Sequence, residues 1–183
     1  MELKIYQQEA LNTLTSFCKN YKESSGKVEE AFNNTLKNSE QFSEPYEPYL
    51  KVKESTSPYI CIRIPTGGGK TLIAAKSLKP VIQELYENDK TFLVIWLAPK
   101  DIIVNQTIKA LKDPKHPYRK AIDEDFPSTS INVMKLKDAL TNTFNKKTDI
   151  TILVGSMQSF NVGNDDIRKF YYLEPLANSN PSK

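Results

Sequence analysis

The stretch Ile64-Pro65-Thr66-Gly67-Gly68-Gly69-Lys70-Thr71 leaves few choices for the chain around it. A short apolar run, Tyr59 to Ile64, precedes it, and a segment rich in Leu, Ile and Ala follows. Strand, glycine loop, Gly-Lys-Thr and helix, in that order, is the layout of a phosphate-binding P-loop. Consecutive glycines carry no Cβ, so the backbone can take positive φ and press close to a ligand. Its N–H groups then converge on phosphate oxygens, and the free N–H groups of the next helix add a positive field. Lys70 is placed to reach the β/γ-phosphates. The Thr71 hydroxyl suits Mg²⁺, a hard cation that takes oxygen ligands and shares the phosphates. A plain glycine turn needs neither the lysine nor the threonine.

Around this loop the periodicity predicts alternating helices and strands. Leu11, Leu14 and Phe17, with Ala10 and Cys18 beside them, place a helix over residues 5–21. Residues 22–57 read as a polar insertion, with a short helix from Val28 to Leu36 and then Glu44-Pro45-Tyr46-Glu47-Pro48. Prolines so close together exclude a regular helix or a central strand there. Tyr46 and Tyr49 are of a type that stacks on bases, but packing against the domain is the preferred reading. Residues 59–64, apolar apart from Arg63, are expected to be a buried parallel strand. The helix after Thr71 carries Leu72, Ile73, Ala74, Ala75 and Leu78, and Pro80 should kink it or break it, a second piece running to about Asn88.

Residues 91–98 form the strongest strand signal in the chain; Pro99-Lys100 ends it, and Asp101 is the expected cap of a helix from Ile102 to about Leu111. Residues 112–129 read as a charged connection containing the lone histidine, His116, taken as a surface residue for want of metal-spaced partners. Ile131 to Met134 reads as a strand, Leu136 to Phe144 as a helix and residues 149–154 as another strand. The tail from Tyr171 is expected to fray.

A length of 183 residues suits one domain or slightly more, with 39% hydrophobic and 26% charged residues. The net charge of +3 is too small to argue nucleic-acid binding by itself. Two distant cysteines, Cys18 and Cys61, build neither a disulfide framework nor a metal site, which favours a reducing cytoplasm. No signal peptide is read at the N-terminus, and the longest apolar run, Phe92 to Ala98, is far too short for a bilayer.

The generic P-loop pattern opens with Gly where this chain has Ile64. Pro-Thr-Gly-x-Gly-Lys-Thr instead resembles motif I of superfamily 2 helicases. Three further stretches fit that resemblance in order. Tyr6-Gln7 resembles the adenine-reading Q motif, and an amide has the acceptor and donors that complement the N6 amine and N7 of adenine. Ala98-Pro99-Lys100 resembles motif Ia, and Gly155-Ser156-Met157-Gln158 resembles motif Ib, both of which touch the nucleic-acid backbone in that family. As a whole the chain resembles the N-terminal RecA-like lobe of DEAD/DEAH-type helicases, most of all the helicase subunits of type III restriction enzymes. The resemblance implies an α/β, three-layer P-loop NTPase domain with a mainly parallel sheet, incomplete at its end. Its parts would be a Q-motif helix (1–21), the polar insertion (22–57), a partial RecA-like ATP-binding domain (58–170) and the frayed tail (171–183).

The resemblance further implies ATP and Mg²⁺ as cofactors. It assigns Gln7, Thr66, Gly67, Gly68, Gly69, Lys70 and Thr71 to the nucleotide, with Thr71 also on the metal. Pro99, Lys100, Ser156 and Gln158 are assigned to nucleic acid, DNA ahead of RNA. A methylase, specificity or nuclease subunit is an implied partner; a membrane is not. The family's Asp-Glu motif, which holds Mg²⁺ and polarises the attacking water, is not found at a strand end. Asp123-Glu124-Asp125 and Asp165-Asp166 follow stretches that do not read as strands and are set aside. The chain therefore reads as part of a larger motor, with no catalytic residue of its own and poor or absent hydrolysis when alone. Two other classes stay open. One is a degenerate nucleotide-binding module that docks to a partner subunit. The other is a P-loop phosphotransferase, disfavoured by few arginines and no lid-like segment.

Overall fold

The computed structural model describes residues 2–37, 49, 57–86, 91–139 and 149–156. The chain divides into two compact units, residues 1–88 and 89–183.

The first unit is helical in its described part. Helix α1 (Ile5–Glu23) buries Gln7, Leu11, Leu14, Phe17 and Cys18, a stripe at steps of three and four. Its C-terminus closes with Ser25 N–H donating to the Lys22 carbonyl (3.1 Å) and Gly26 N–H to the Tyr21 carbonyl (2.9 Å), the pair of bonds of a Schellman cap. That cap turns the chain into α2 (Val28–Lys37), whose Val28 and Ala31 meet Leu14, Phe17 and Cys18 in a small core. Phe32 and Tyr49 pack on this core with ring centroids 5.3 Å apart, so Tyr49 takes the packing role. Tyr46 lies outside the described residues.

Helix α3 (Lys70–Lys76) follows the glycine loop, and α4 (Leu78–Leu85) follows α3 after Ser77. The break expected at Pro80 is present but falls three residues earlier. Pro80 sits in the first turn of α4, where its missing N–H has no intrahelical role.

The expected strand over residues 59–64 is not a strand. The segment is irregular, Tyr59 and Ile60 are 55% and 45% exposed, and Ile62 packs on the small core of α1 and α2. Apolar character marked it for burial, but a strand also needs a neighbour to complete its ladder, and no described strand pairs with it.

The second unit is built on a parallel sheet. Strand β1 (Phe92–Ala98) leads through α5 (Asp101–Lys112) and α6 (Pro117–Asp125) to β2 (Ile131–Lys135); α7 (Leu136–Ala139) and β3 (Ile150–Ser156) follow. The order is β1-β3-β2, with every pair parallel. The β1-to-β2 crossover leaves a gap that β3 fills, as helical crossovers between parallel strands allow. Every residue of β3 is buried, as befits a central strand. Helix α5 lies against the sheet through Val104 and Leu111, both fully buried.

Helix α6 corrects the expectation of a loop over 112–129. Pro117 stands at its first position with a pre-set φ, and His116 caps it, Nδ1 accepting from the Tyr118 N–H (3.2 Å). Ala121 and Ile122 bury against the unit, and Arg119 bonds Asp123 one turn on (2.8 Å). Asp101 is likewise corrected from cap to first helical residue of α5; Lys100 is the cap position, without a side-chain bond. The acid still lies in the first turn, where the helix dipole favours it. The helix expected to reach Phe144 is described only as α7; residues 140–148 lie outside the description.

Candidate functional site

The glycine loop folds as a tight turn closed on itself. Gly68 N–H donates to the Pro65 carbonyl (3.0 Å), and Gly67 takes φ +76°, the positive value a type II turn requires at that place. Gly69 has φ +81° and serves as the N-cap of α3. A Cβ on Gly69 would meet Gln7 Nε2 at 2.6 Å, and one on Gly68 would meet Ile64 Cγ2 at 2.6 Å and the Pro65 carbonyl at 2.9 Å. The three glycines therefore differ: Gly67 borders open space, whereas Gly68 and Gly69 are pressed against protein. Lys70 is exposed, and its ammonium donates to the Pro65 carbonyl (3.0 Å). Thr66 is exposed and Thr71 half-buried at the start of α3.

Helix α1 contributes two donors to this loop. Gln7 is 5% exposed; its Nε2 donates to the Gly68 carbonyl (2.8 Å), and its Oε1 accepts from the Lys4 N–H (2.9 Å). One amide thus completes the N-terminus of α1 in the manner of a capping box and ties the loop to it. An amide carries two hydrogens and two oxygen lone pairs, so these two bonds use one of each. Tyr6 donates its hydroxyl to the same Gly68 carbonyl (3.0 Å). In the sequence Tyr6 is the aromatic of the Tyr6-Gln7 resemblance, and the base contact is assigned to Gln7 alone. The signal was present only as adjacency to Gln7, because its target lies 62 positions along the chain.

The residues assigned to nucleic acid lie in the second unit. Pro99 and Lys100 form the exposed bend between β1 and α5. The β1–β3 register pairs Ala98 with Ser156, so the two strand ends lie side by side at the carboxyl edge of the sheet. Ser156 itself is 2% exposed. A small cleft there is lined by Asp101, Lys135, Lys137, Gly155 and Ser156, and Lys135 Nζ bonds Asn105 Oδ1 (3.3 Å). Lys135 and Lys137 were not singled out from the sequence, since only the sheet brings them to that edge. Gln158 lies outside the described residues.

Of the acidic clusters, Asp123-Glu124-Asp125 ends helix α6 and does not follow a described strand directly, and Asp165-Asp166 lies outside the described residues. Among the described residues no group of three or more His, Cys, Asp or Glu side chains could hold a metal ion. No described helix is long and apolar enough to cross a membrane.

A model of the family described as type III restriction enzyme, res subunit, matches residues 1–176. The chain belongs to this family. The match spans both units and carries a RecA-like P-loop fold, so the resemblance drawn from the glycine loop extends over nearly the whole length. It supports a helicase-type ATP-binding domain, and such a domain implies interaction with nucleic acid. No curated protein and no solved structure matches the chain.

Proposed function

We propose that this chain is the ATP-binding N-terminal part of an ATP-dependent DNA helicase or translocase of the type III restriction-enzyme kind. The glycine loop carries this reading. Gly67 and Gly69 hold positive φ, the Gly68 carbonyl is turned onto helix α1, and Lys70 stands exposed beside the loop. From the loop's own residues the Lys70 ammonium bonds back into the turn.

These residues fit a nucleoside triphosphate. The backbone N–H groups of Gly67 and of residues 69 to 71 would hold phosphate oxygens, the Gly68 N–H being spent on the Pro65 carbonyl, and Lys70 would exchange the Pro65 carbonyl for the β/γ-phosphates. Thr71 would hold Mg²⁺, which neutralises charge on the phosphates when bound. The spare hydrogen and lone pair of Gln7 would read adenine. Pro99 and Lys100, exposed at the carboxyl edge of the parallel sheet, would meet the nucleic-acid backbone, and the family resemblance adds Ser156 and Gln158 to that contact. In the motor, ATP-driven closure of two lobes and release after hydrolysis would move one strand. A methylase, specificity or nuclease subunit would supply target recognition or cleavage. Two cysteines free of disulfide suit a cytoplasmic setting.

The test is MgATP binding by the chain and by Lys70→Ala, with ATP turnover measured with and without single- and double-stranded DNA. Removing a charged donor from phosphate should weaken binding roughly 10- to 100-fold, with the fold intact because Lys70 is exposed. Unchanged affinity would remove the P-loop assignment. Tight binding to a partner subunit that is indifferent to Lys70→Ala would favour the docking module instead.

A further inference from the structure

The Gly68 carbonyl receives two hydrogen bonds from one turn of helix α1: Tyr6 Oη at 3.0 Å and Gln7 Nε2 at 2.8 Å. Both lone pairs of that oxygen are therefore engaged. In a trans peptide the C=O and the following N–H lie in one plane and point in opposite directions. Holding the Gly68 carbonyl against α1 consequently turns the Gly69 N–H away from α1. This orientation is not self-enforcing. The plane lies between two glycines, which impose the weakest steric limits on rotation. A half-turn of the plane would exchange a donor for an acceptor, setting a partial negative charge where a phosphate oxygen is to bind.

The two donors are not equivalent. Gln7 is anchored at both ends, since its Oε1 also accepts from the Lys4 N–H (2.9 Å), and its amide is the group offered to adenine. Tyr6 carries only a hydroxyl, is half-buried, and reaches the same carbonyl from the preceding residue. A Cβ on Gly68 would lie 3.3 Å from that hydroxyl, so the ring end sits directly over the loop.

We propose that Tyr6 is a positioning residue for phosphate binding: with Gln7 it pins the Gly68–Gly69 peptide plane so that the Gly69 N–H, not a carbonyl, faces the phosphates. The proposal rests on the P-loop reading given above. It makes the contribution of Tyr6 depend on phosphate and not on the base.

Affinity of the parent, Tyr6→Phe and Lys70→Ala for MgATP, MgGTP and inorganic tripolyphosphate tests this. Loss of one neutral hydrogen bond should weaken all three ligands by one common factor, about threefold to tenfold in Tyr6→Phe. Adenosine, which has no phosphate, should be unaffected. The chain has 6 glycines, so a glycine-¹⁵N spectrum is sparse enough to follow Gly69. Its amide signal should shift with tripolyphosphate in the parent, and should be broadened or doubled before ligand is added in Tyr6→Phe. Site-specific fluorotyrosine at position 6, a stronger donor of the same shape, should tighten tripolyphosphate binding and serves as the second probe should Tyr6→Phe fail to fold. Equal tripolyphosphate affinity in parent and Tyr6→Phe, a loss confined to ATP, or no tightening with fluorotyrosine overturns the role of Tyr6. Should Lys70→Ala also leave every ligand unaffected, the P-loop reading itself is what has failed.

Discussion

The side-chain amide of Gln7 donates to the main-chain carbonyl of Gly68 over 2.8 Å, joining the first turn of the first helix to the middle of the glycine loop. Both partners are buried, so the bond is shielded from water. It couples a residue whose chemistry suits a base to a loop whose chemistry suits phosphate. A nucleotide that engages both would meet one connected piece of structure.

Gln7→Ala should therefore have two effects. Lys4 N–H and the Gly68 carbonyl each lose a partner, although Gly68 keeps Tyr6. Unfolding free energy should fall by about 1–3 kcal/mol, read from urea denaturation. The preference for ATP over GTP should fall as well, read from competition binding. An unaltered preference with lowered stability would leave Gln7 with the structural tie alone.

The three loop glycines should respond to alanine in a definite order. Gly67→Ala meets nothing within 4 Å and bears only the cost of positive φ, roughly 1–2 kcal/mol. Gly69→Ala adds a contact at 2.6 Å with Gln7 Nε2 to the same φ cost, so it should be the more destabilising and should also loosen the tie to helix α1. Gly68→Ala meets the Pro65 carbonyl at 2.9 Å, a backbone atom that cannot swing aside, and should also exceed Gly67→Ala. Equal destabilisation across the series, by thermal or urea unfolding, would contradict this loop geometry.

Lys100 stands exposed at the cap position of α5, beside the end of β1. If it meets a phosphate, Lys100→Ala should weaken DNA binding to the same degree for every sequence and lower the slope of log affinity against log salt by about 1. Titration of labelled DNA at several salt concentrations reads both. An unchanged slope would take Lys100 off the nucleic-acid path.

Cys18 and Cys61 should behave as opposites. Cys61 is exposed and should react with a thiol reagent in the native state, whereas Cys18 is buried and should react only on unfolding. Burial, with the Glu84 carboxylate second, pushes the Cys18 thiol up from 9.0 to about 11. The folded chain thus keeps this proton at pH values where the unfolded chain has begun to release it. The stabilisation is complete below about pH 9 and fades as pH rises towards 11. Between those values the parent should lose stability more steeply than Cys18→Ala, and equal slopes would show that the thiol ionises alike in both states.

Helix α1, helix α2 and strands β1 and β3 were all legible from local pattern, although β3 runs on through Gly155 and Ser156, past the expected end at Val154. The helices carry their apolar residues at steps of three and four, and the strands are short, nearly continuous apolar runs. Helix α6 was legible only in part. Pro117 after a capping His116 is a start signal, but the charged residues that follow hide the pair Ala121-Ile122 that buries it. The glycine loop was visible because its chemistry is local: three glycines, a lysine and a threonine in register.

What the sequence determined by itself was thus the kind of element at most positions and the chemistry of the phosphate loop, since both depend on residues a few places apart. The tertiary structure decided which partners those elements found. Tyr59 to Ile64 and Phe92 to Ala98 are similar apolar runs, yet only the second pairs in the sheet, because a strand is completed by a neighbour and not by its own composition. Tyr6 and Gln7 meet Gly68 for the same reason: a donor at a helix start can choose among many carbonyls, and only the packed chain brings one of them within 3.0 Å.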